Sequence, residues 1–256
     1  MGKLADYEYV IFVVTLVVLW LAVEFGAWLA RLRPAKETEQ SHLAQVASAS
    51  ISILALIIAF SFSAALGRYD QRKHYEQNEA SNIGELYEMT SLLPDDDAAE
   101  LRGLIAQYVA LRVDFFETSN REELARLHDK LVALEHRMWP IVQRNARDHQ
   151  TPVMAQVLQA LAAMVGSADA SQAASEDRIP DTGWTLMAVL AFLSCVTIGY
   201  GEYGGHSHLL RLVLPMLVAI VFFFIASLDA QRTGLIRVGP VNLMRVQHDI
   251  VAEQKK

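Results

Sequence analysis

Residues Ile57 to Tyr87 read IIAFSFSAALGRYDQRKHYEQNEASNIGELY. Up to Gly67 the stretch is apolar or small, like the interior of a bilayer. From Arg68 onward it is charged and water-facing. No proline and no Ser-rich spacer marks the change, so the pattern predicts one helix that leaves the membrane unbroken. A rigid helix of this kind transmits force and position between the two media, which a flexible linker does not.

The rest of the chain fits around that helix. Of its 256 residues, 53% are hydrophobic, and these are clustered. The formal charge of -7 argues against a nucleic-acid partner. A single cysteine, Cys195, sits in an apolar run. It excludes an intrachain disulfide or a thiolate metal cluster and reads as a small buried side chain.

Crossing a bilayer takes about 20 apolar residues. Tyr7 to Ala30, Leu43 to Gly67, Gly183 to Tyr200 and His208 to Leu228 meet that need. The first lacks the short apolar core and small-residue cleavage site of a secretory signal and reads as a retained span. The spans form two pairs, joined by ARLRPAKETEQSH and GEYGGHSH. Between the pairs, Arg68 to Pro180 carries 19 acidic and 12 basic residues, which is the whole of the net charge. The expected organisation is a first helix pair (1–67), a helical insert (68–180), a second pair (181–228) and a tail (229–256).

With four spans, both termini and the insert share one side. That side holds Lys3, Arg68, Arg72, Lys73, Arg232, Arg237, Arg245, Lys255 and Lys256. The opposite side holds Arg31, Arg33, Lys36 and Arg211. The majority of positive charge predicts cytoplasmic termini and a cytoplasmic insert, against the local pull of the RLRP loop.

Turn and cap signals divide the insert into helices. Pro94 ends the first. PDDDAAEL starts the second, with an aspartate as expected N-cap and the acidic cluster at the positive helix end. Ser119 or Asn120 caps the third, in which Pro140 predicts a kink. Thr151 caps the fourth, with Pro152 at its first position. No segment alternates like a strand. The predicted fold is an all-α membrane protein: four spans in two pairs, and an inserted helical bundle whose outer helices continue spans.

On a helical wheel of the second span, Gln45, Ser48, Ser52, Ala55, Ala59, Phe62, Ser63 and Leu66 share a sector about 100° wide. Ile51, Leu54 and Ile58 occupy the opposite face. Two readings stand. Small and hydroxyl residues allow close packing of another helix, as membrane interfaces favour. Alternatively, the sector lines a pore built from several copies, with Phe62 and Leu66 as apolar constrictions. Farther along, Asp70, Lys73 and Gln77 continue the small sector, as a solvated face or a charged vestibule. Arg72, Glu76 and Glu79 turn towards the side that a bundle covers. Arg72 and Glu76 are spaced as an i,i+4 pair, worth about 0.2–0.5 kcal/mol when exposed.

Other candidates are weaker. Glu24, late in the first span, is an ionisable residue near membrane depth, with Arg31 two turns on and an interfacial position as the plain explanation. Glu202, His206 and His208 have ligand chemistry but lie in a short Gly-rich turn without metal-site spacing. The other histidines show no HExxH pair, and no phosphate loop, dinucleotide motif or nucleophile constellation is present. No cofactor, metal or enzymatic activity is expected.

The stretch GRYDQRKHYEQNEASNIGELY and the tail LDAQRTGLIRVGPVNLMRV resemble the bacterial bestrophin-like domain family. The resemblance rests on Arg72, Glu79, Ala80, Ile83 and Gly84 after the second span. After the fourth it rests on Asp229, Gly234, Leu235, Ile236, Arg237 and Val238. These motifs span about 40 residues, and the layout of spans and insert matches over nearly the whole chain. True bestrophins are similar in layout: pentameric ion channels whose second span lines the pore. Their Trp pair after that span, their neck proline and their calcium clasp have no counterpart here. Asp95, Asp96 and Asp97 are more simply helix-start residues.

The resemblance implies a homo-oligomer, with five subunits as the ring to expect, in the bacterial inner membrane. Its partners would be the lipid bilayer and inorganic ions. Conduction would be passive along the second span, with Phe62 and Leu66 as gates and Ser48 and Ser52 wetting the outer mouth; the acidity of the insert weakly favours cations, bestrophins include anion channels, and the sign of the ion stays open. Asp229, Arg232 and Arg237 would act in the tail and in assembly: Asp229 and Arg232 pair at i,i+3 or meet the long helix, and the tail anchors at the interface or wraps a neighbour. The alternative is a non-conducting scaffold or signalling protein whose acidic bundle docks a protein partner.

Overall fold

A computed structural model describes residues 2–33, 37–201, 208–230 and 236–254, with side chains described at 9–33, 41–201, 211–230 and 236–254. The described residues are almost wholly helical and contain no strand. The helices are α1 (Gly2–Leu32), α2 (Glu37–Met89), α3 (Asp95–Glu117), α4 (Arg121–Asp148), α5 (Pro152–Glu176), α6 (Asp181–Gly201), α7 (His208–Asp229) and α8 (Val241–Glu253). A 3-10 turn, Thr90–Leu92, closes α2 ahead of Pro94. Four stretches are long and apolar enough to cross a membrane. The quoted segment lies wholly inside α2, one helix of 53 residues.

The chain divides into two compact units. One holds residues 1–68 and 178–237. In it α1 packs against α6 and α7. The α1–α6 approach is backbone to backbone: a methyl on Gly26 would overlap the carbonyl oxygen of Val196, and one on Gly199 that of Val23. Glycine here brings the helices closer than any side chain allows, which in a membrane replaces the missing hydrophobic drive with dispersion contact. Phe223 of α7 fits edge-to-face against Phe12 of α1.

The other unit holds residues 69–177 and 238–256. Its core joins Ile83 and Leu86 of α2, Leu101, Leu104, Ile105 and Tyr108 of α3, Leu131 and Met138 of α4, and Leu161 and Met164 of α5. These positions recur at three or four residues, the period of a helix face. Burying each aliphatic side chain contributes about 1.5–3 kcal/mol. Asn120 caps α4, its Oδ1 accepting from the Glu122 amide at 3.0 Å. Thr151 caps α5, accepting from the Met154 amide at 3.2 Å. α4 runs through Pro140 as one helix.

Two expectations need correction. No aspartate caps α3: its N-cap is Pro94, and Asp95, Asp96 and Asp97 fill the first turn. Asp97 instead accepts from Asn145 Nδ2 at 2.6 Å and from Arg144, two groups on α4. The last insert helix does not continue into a span: α5 ends at Glu176 and α6 begins at Asp181. Asp177 is extended, and Pro180 withholds the amide that a continuous helix needs. From Val238 the chain belongs to the insert's unit, where α8 buries Leu243 and Ile250 in the core.

Candidate functional site

The site follows from how little of the second span its own chain covers. Of its most apolar window only 11% of residues are buried, against 28%, 28% and 44% for the other three candidate spans. On the opposite face Leu54 is buried, and Ile51 and Ile58 are half-buried. Gln45, Ser48, Ser52, Ala55, Ala59, Phe62, Ser63 and Leu66 are all exposed in the single chain. The Ser52 hydroxyl donates to the Ser48 carbonyl at 2.8 Å. That bond satisfies its proton within the helix and leaves oxygen lone pairs facing out.

Two grooves flank this sector. One, about 410 Å³, lies between Ser48 and Ser52 of α2 and Thr197 and Ile198 of α6. The other, about 460 Å³ and almost wholly apolar, lies between Ala55, Ala59 and Phe62 of α2 and Leu217, Val221 and Phe224 of α7. Both edges of the sector are therefore open surface. Near the start of α7, Arg211 lies 3.8 Å from Glu24 of α1. The partner of Glu24 in that ion pair is thus Arg211 of another helix, whereas the sequence offered Arg31.

Beyond Arg68 the two sides of α2 differ sharply. Asp70, Lys73 and Gln77 are exposed, whereas Arg72 is 5%, Glu76 1% and Glu79 0% exposed. Glu79 receives the Arg112 guanidinium of α3 through two parallel contacts, Nε to Oε1 and Nη2 to Oε2. Burial works against the Arg112 charge, and the adjacent Glu79 more than offsets it, holding the arginine pKa above its ordinary value. Glu76 also serves a segment far away in sequence. Its carboxylate accepts from the Asn242 amide at 2.8 Å, the Leu243 amide at 3.0 Å and Asn242 Nδ2 at 2.7 Å. A buried carboxylate from α2 thus caps α8, where unpaired amides and the helix dipole favour a negative charge.

Of the tail residues, Asp229 is buried at the end of α7 and accepts from the Ile179 amide at 2.9 Å. It holds the turn that leads into α6. Arg237 is exposed in the irregular stretch before α8. Arg232, Gly234 and Leu235 lie outside the described residues, and so do Glu202, His206 and the side chain of His208. Among the described residues no three acidic, histidine or cysteine groups gather as a metal site.

The sequence reading missed Arg112, Tyr108 and Glu135, which cluster on α3 and α4, and Asn242 in the tail. An arginine and a tyrosine at core positions of an amphipathic helix were the available signal, since a buried charge demands a partner.

A family model described as Bestrophin-like domain matches residues 12–243. Among solved structures, a mutant of a bacterial bestrophin homologue from Klebsiella pneumoniae is similar, with a TM-score of 0.68 and 9% identity over 96% of this chain and 99% of that one. The structure of that homologue obtained by Zn-SAD phasing gives a TM-score of 0.66 and 10% identity over 97% and 98%. A mutant described only as a membrane protein gives 0.69 and 10%, with full coverage of both chains. No relative was found among curated proteins. The helices and the fold together make this a multi-pass membrane protein.

Proposed function

The chain belongs to the bestrophin-like domain family, and on that footing we propose that it is an oligomeric, passive ion channel whose second span lines the pore. Family membership supports a channel. The observation that carries the finer reading is the bare sector of α2, in which the amide of Gln45 and the hydroxyls of Ser48, Ser52 and Ser63 are exposed on the least covered span. Facing lipid, the Gln45 amide costs free energy that no hydrocarbon contact returns, and the hydroxyl oxygens keep lone pairs that only water or a polar neighbour fills. A ring of copies, five by analogy with bestrophins, turns the sector towards water instead. Phe62 and Leu66 then form the apolar constriction, and Asp70, Lys73 and Gln77 line a vestibule. The insert's acidity weakly favours cations, and the sign of the ion is read from reversal potentials in asymmetric salt. In this reading the protein sits in the bacterial inner membrane, with its insert and termini in the cytoplasm.

Two measurements test it. Native mass spectrometry should give about five subunits per particle. Currents through purified protein in planar bilayers should rise when Phe62→Ala widens the constriction. Silence in both proteins would overturn conduction. A monomer or dimer would remove any shared pore and leave the acidic insert as a docking surface for a protein partner.

A further inference from the structure

Glu100, Gln107 and Asp114 follow one another at seven-residue steps on α3, and Lys130, Arg137 and Arg144 do the same on α4; all six are exposed. Seven residues make about two turns, so each set forms a row along its helix. Asp96 extends the first row and Arg126 the second. Between Asp96 and Asp114 the α3 row holds no basic residue, and between Arg126 and Arg144 the α4 row holds no acidic one.

The rows share one face of the α3–α4 hairpin. Tyr108 meets Glu135 on its inner side, beside α5. Asp97 meets Arg144 on its outer side. On a helical wheel both rows follow on from that outer contact. The pairs Tyr108–Glu135 and Asp97–Asn145 also set the register, which puts Glu100 level with Arg144, Gln107 with Arg137 and Asp114 with Lys130. The levels between carry short uncharged residues, Gly103 with Pro140 and Ala110 with Ala133. Arg144 is engaged by Asp97. Among the described residues Glu100, Asp114, Lys130 and Arg137 have no ion pair.

We propose that this face is a docking surface for the same face of a second copy. A two-fold axis along the hairpin lays α3 of each copy on α4 of the other and keeps every residue at its level. The acidic row then meets the basic row twice, with Arg137 of each copy opposite Gln107 of the other, between Glu100 and Asp114. Charge complementarity selects this occupant. A partner of one sign is repelled by one of the rows, whereas a second copy carries both at the matching spacing. Charges that serve solubility alone are interspersed, not sorted onto separate helices. α3 has 23 residues and is about 35 Å long, and two helices about 10 Å wide give a face of roughly 700 Å² per copy. The total of about 1,400 Å² lies within the range of specific interfaces. A two-fold contact closes at two copies and builds no larger ring. It therefore joins one assembly to another, and the inference stands whether or not the protein conducts.

The test is the mass of the full chain in detergent, by sedimentation at about 0.05 M and about 1 M salt, the latter cutting the Debye length to about 3 Å. The particle at low salt should hold twice the subunits of the particle at high salt. Arg137→Glu should raise the low-salt dissociation constant at least about tenfold. Adding Gln107→Arg should restore the wild-type value, because an opposed pair re-forms with its signs exchanged. Lys130→Glu with Asp114→Lys repeats the exchange one step along, should either variant not fold. Equal mass at both salts would overturn the proposal. So would doubling retained in Arg137→Glu, or no recovery in the double variant. The subunit number at high salt reports the single assembly, so failure of this contact leaves the pore reading untouched.

Discussion

Arg112 Nη2 lies 2.7 Å from Glu79 Oε2, and the two side chains are 3% and 0% exposed. The guanidinium also stands 5.0 Å from the ring centre of Phe115 and 5.5 Å from that of Phe116. A fork of two parallel bonds fixes direction as well as distance, so the pair sets the rotation of α2 against α3. Removing one partner strands a buried charge. Arg112→Met or Glu79→Leu alone should cost about 3–5 kcal/mol in denaturant unfolding. The double variant, with no stranded charge, should recover most of that loss.

Glu76 caps the tail helix from the far end of the sequence. Glu76→Ala removes an acceptor shared by two backbone amides and the Asn242 side chain. The expected loss is about 1.5–3 kcal/mol of α8 docking. Faster proteolysis between Val238 and Val241, with α3 and α4 still protected, would report it. An unchanged cleavage rate would show that Leu243 and Ile250 hold the tail without the cap.

The α1–α6 contact tolerates no methyl. Gly199→Ala and Gly26→Ala should each reduce the monodisperse fraction in detergent size-exclusion chromatography, because the added carbon meets a rigid backbone carbonyl. Gly67→Ala is the control: no atom lies within 4 Å of its added carbon. There the change should be neutral or stabilise by about 0.5–1 kcal/mol, through helix propensity alone.

Asp97 predicts acid sensitivity. The Asn145 hydrogen bond holds its carboxyl below the ordinary range, burial opposes this, and Arg144 adds to it. A depressed folded pKa contributes stability present above the unfolded value, about 3.9, and lost as pH falls through the folded one. Asp97→Asn should flatten the stability–pH curve below about pH 4 and leave its neutral slope unchanged. A curve that still falls as in the wild type would place the acid-labile group elsewhere.

The parts of the molecule legible in its sequence are local in origin. The four spans follow from run length. The unbroken α2 follows from the absence of any breaker between Ile57 and Tyr87. The caps at Asn120 and Thr151 follow from side chains that reach amides two or three residues away. The division of α2 beyond Arg68 into an exposed side and a covered side was also readable, because helical periodicity carries across the change of medium.

Only the tertiary structure decided what the covered side meets. Glu79 and Arg112 are 33 positions apart, and Glu76 and Asn242 are 166 apart. No periodicity links such residues; the burial of a charge requires a partner without naming it. Asp97 shows the same limit from the other side. Local rules assign an aspartate to the cap of α3, yet Asn145 and Arg144 of another helix claim this one. Sequence determined which faces of each helix avoid water, because that depends on neighbours within a turn. Tertiary structure decided which polar groups on those faces find each other, because that depends on distances the chain acquires only once it has folded.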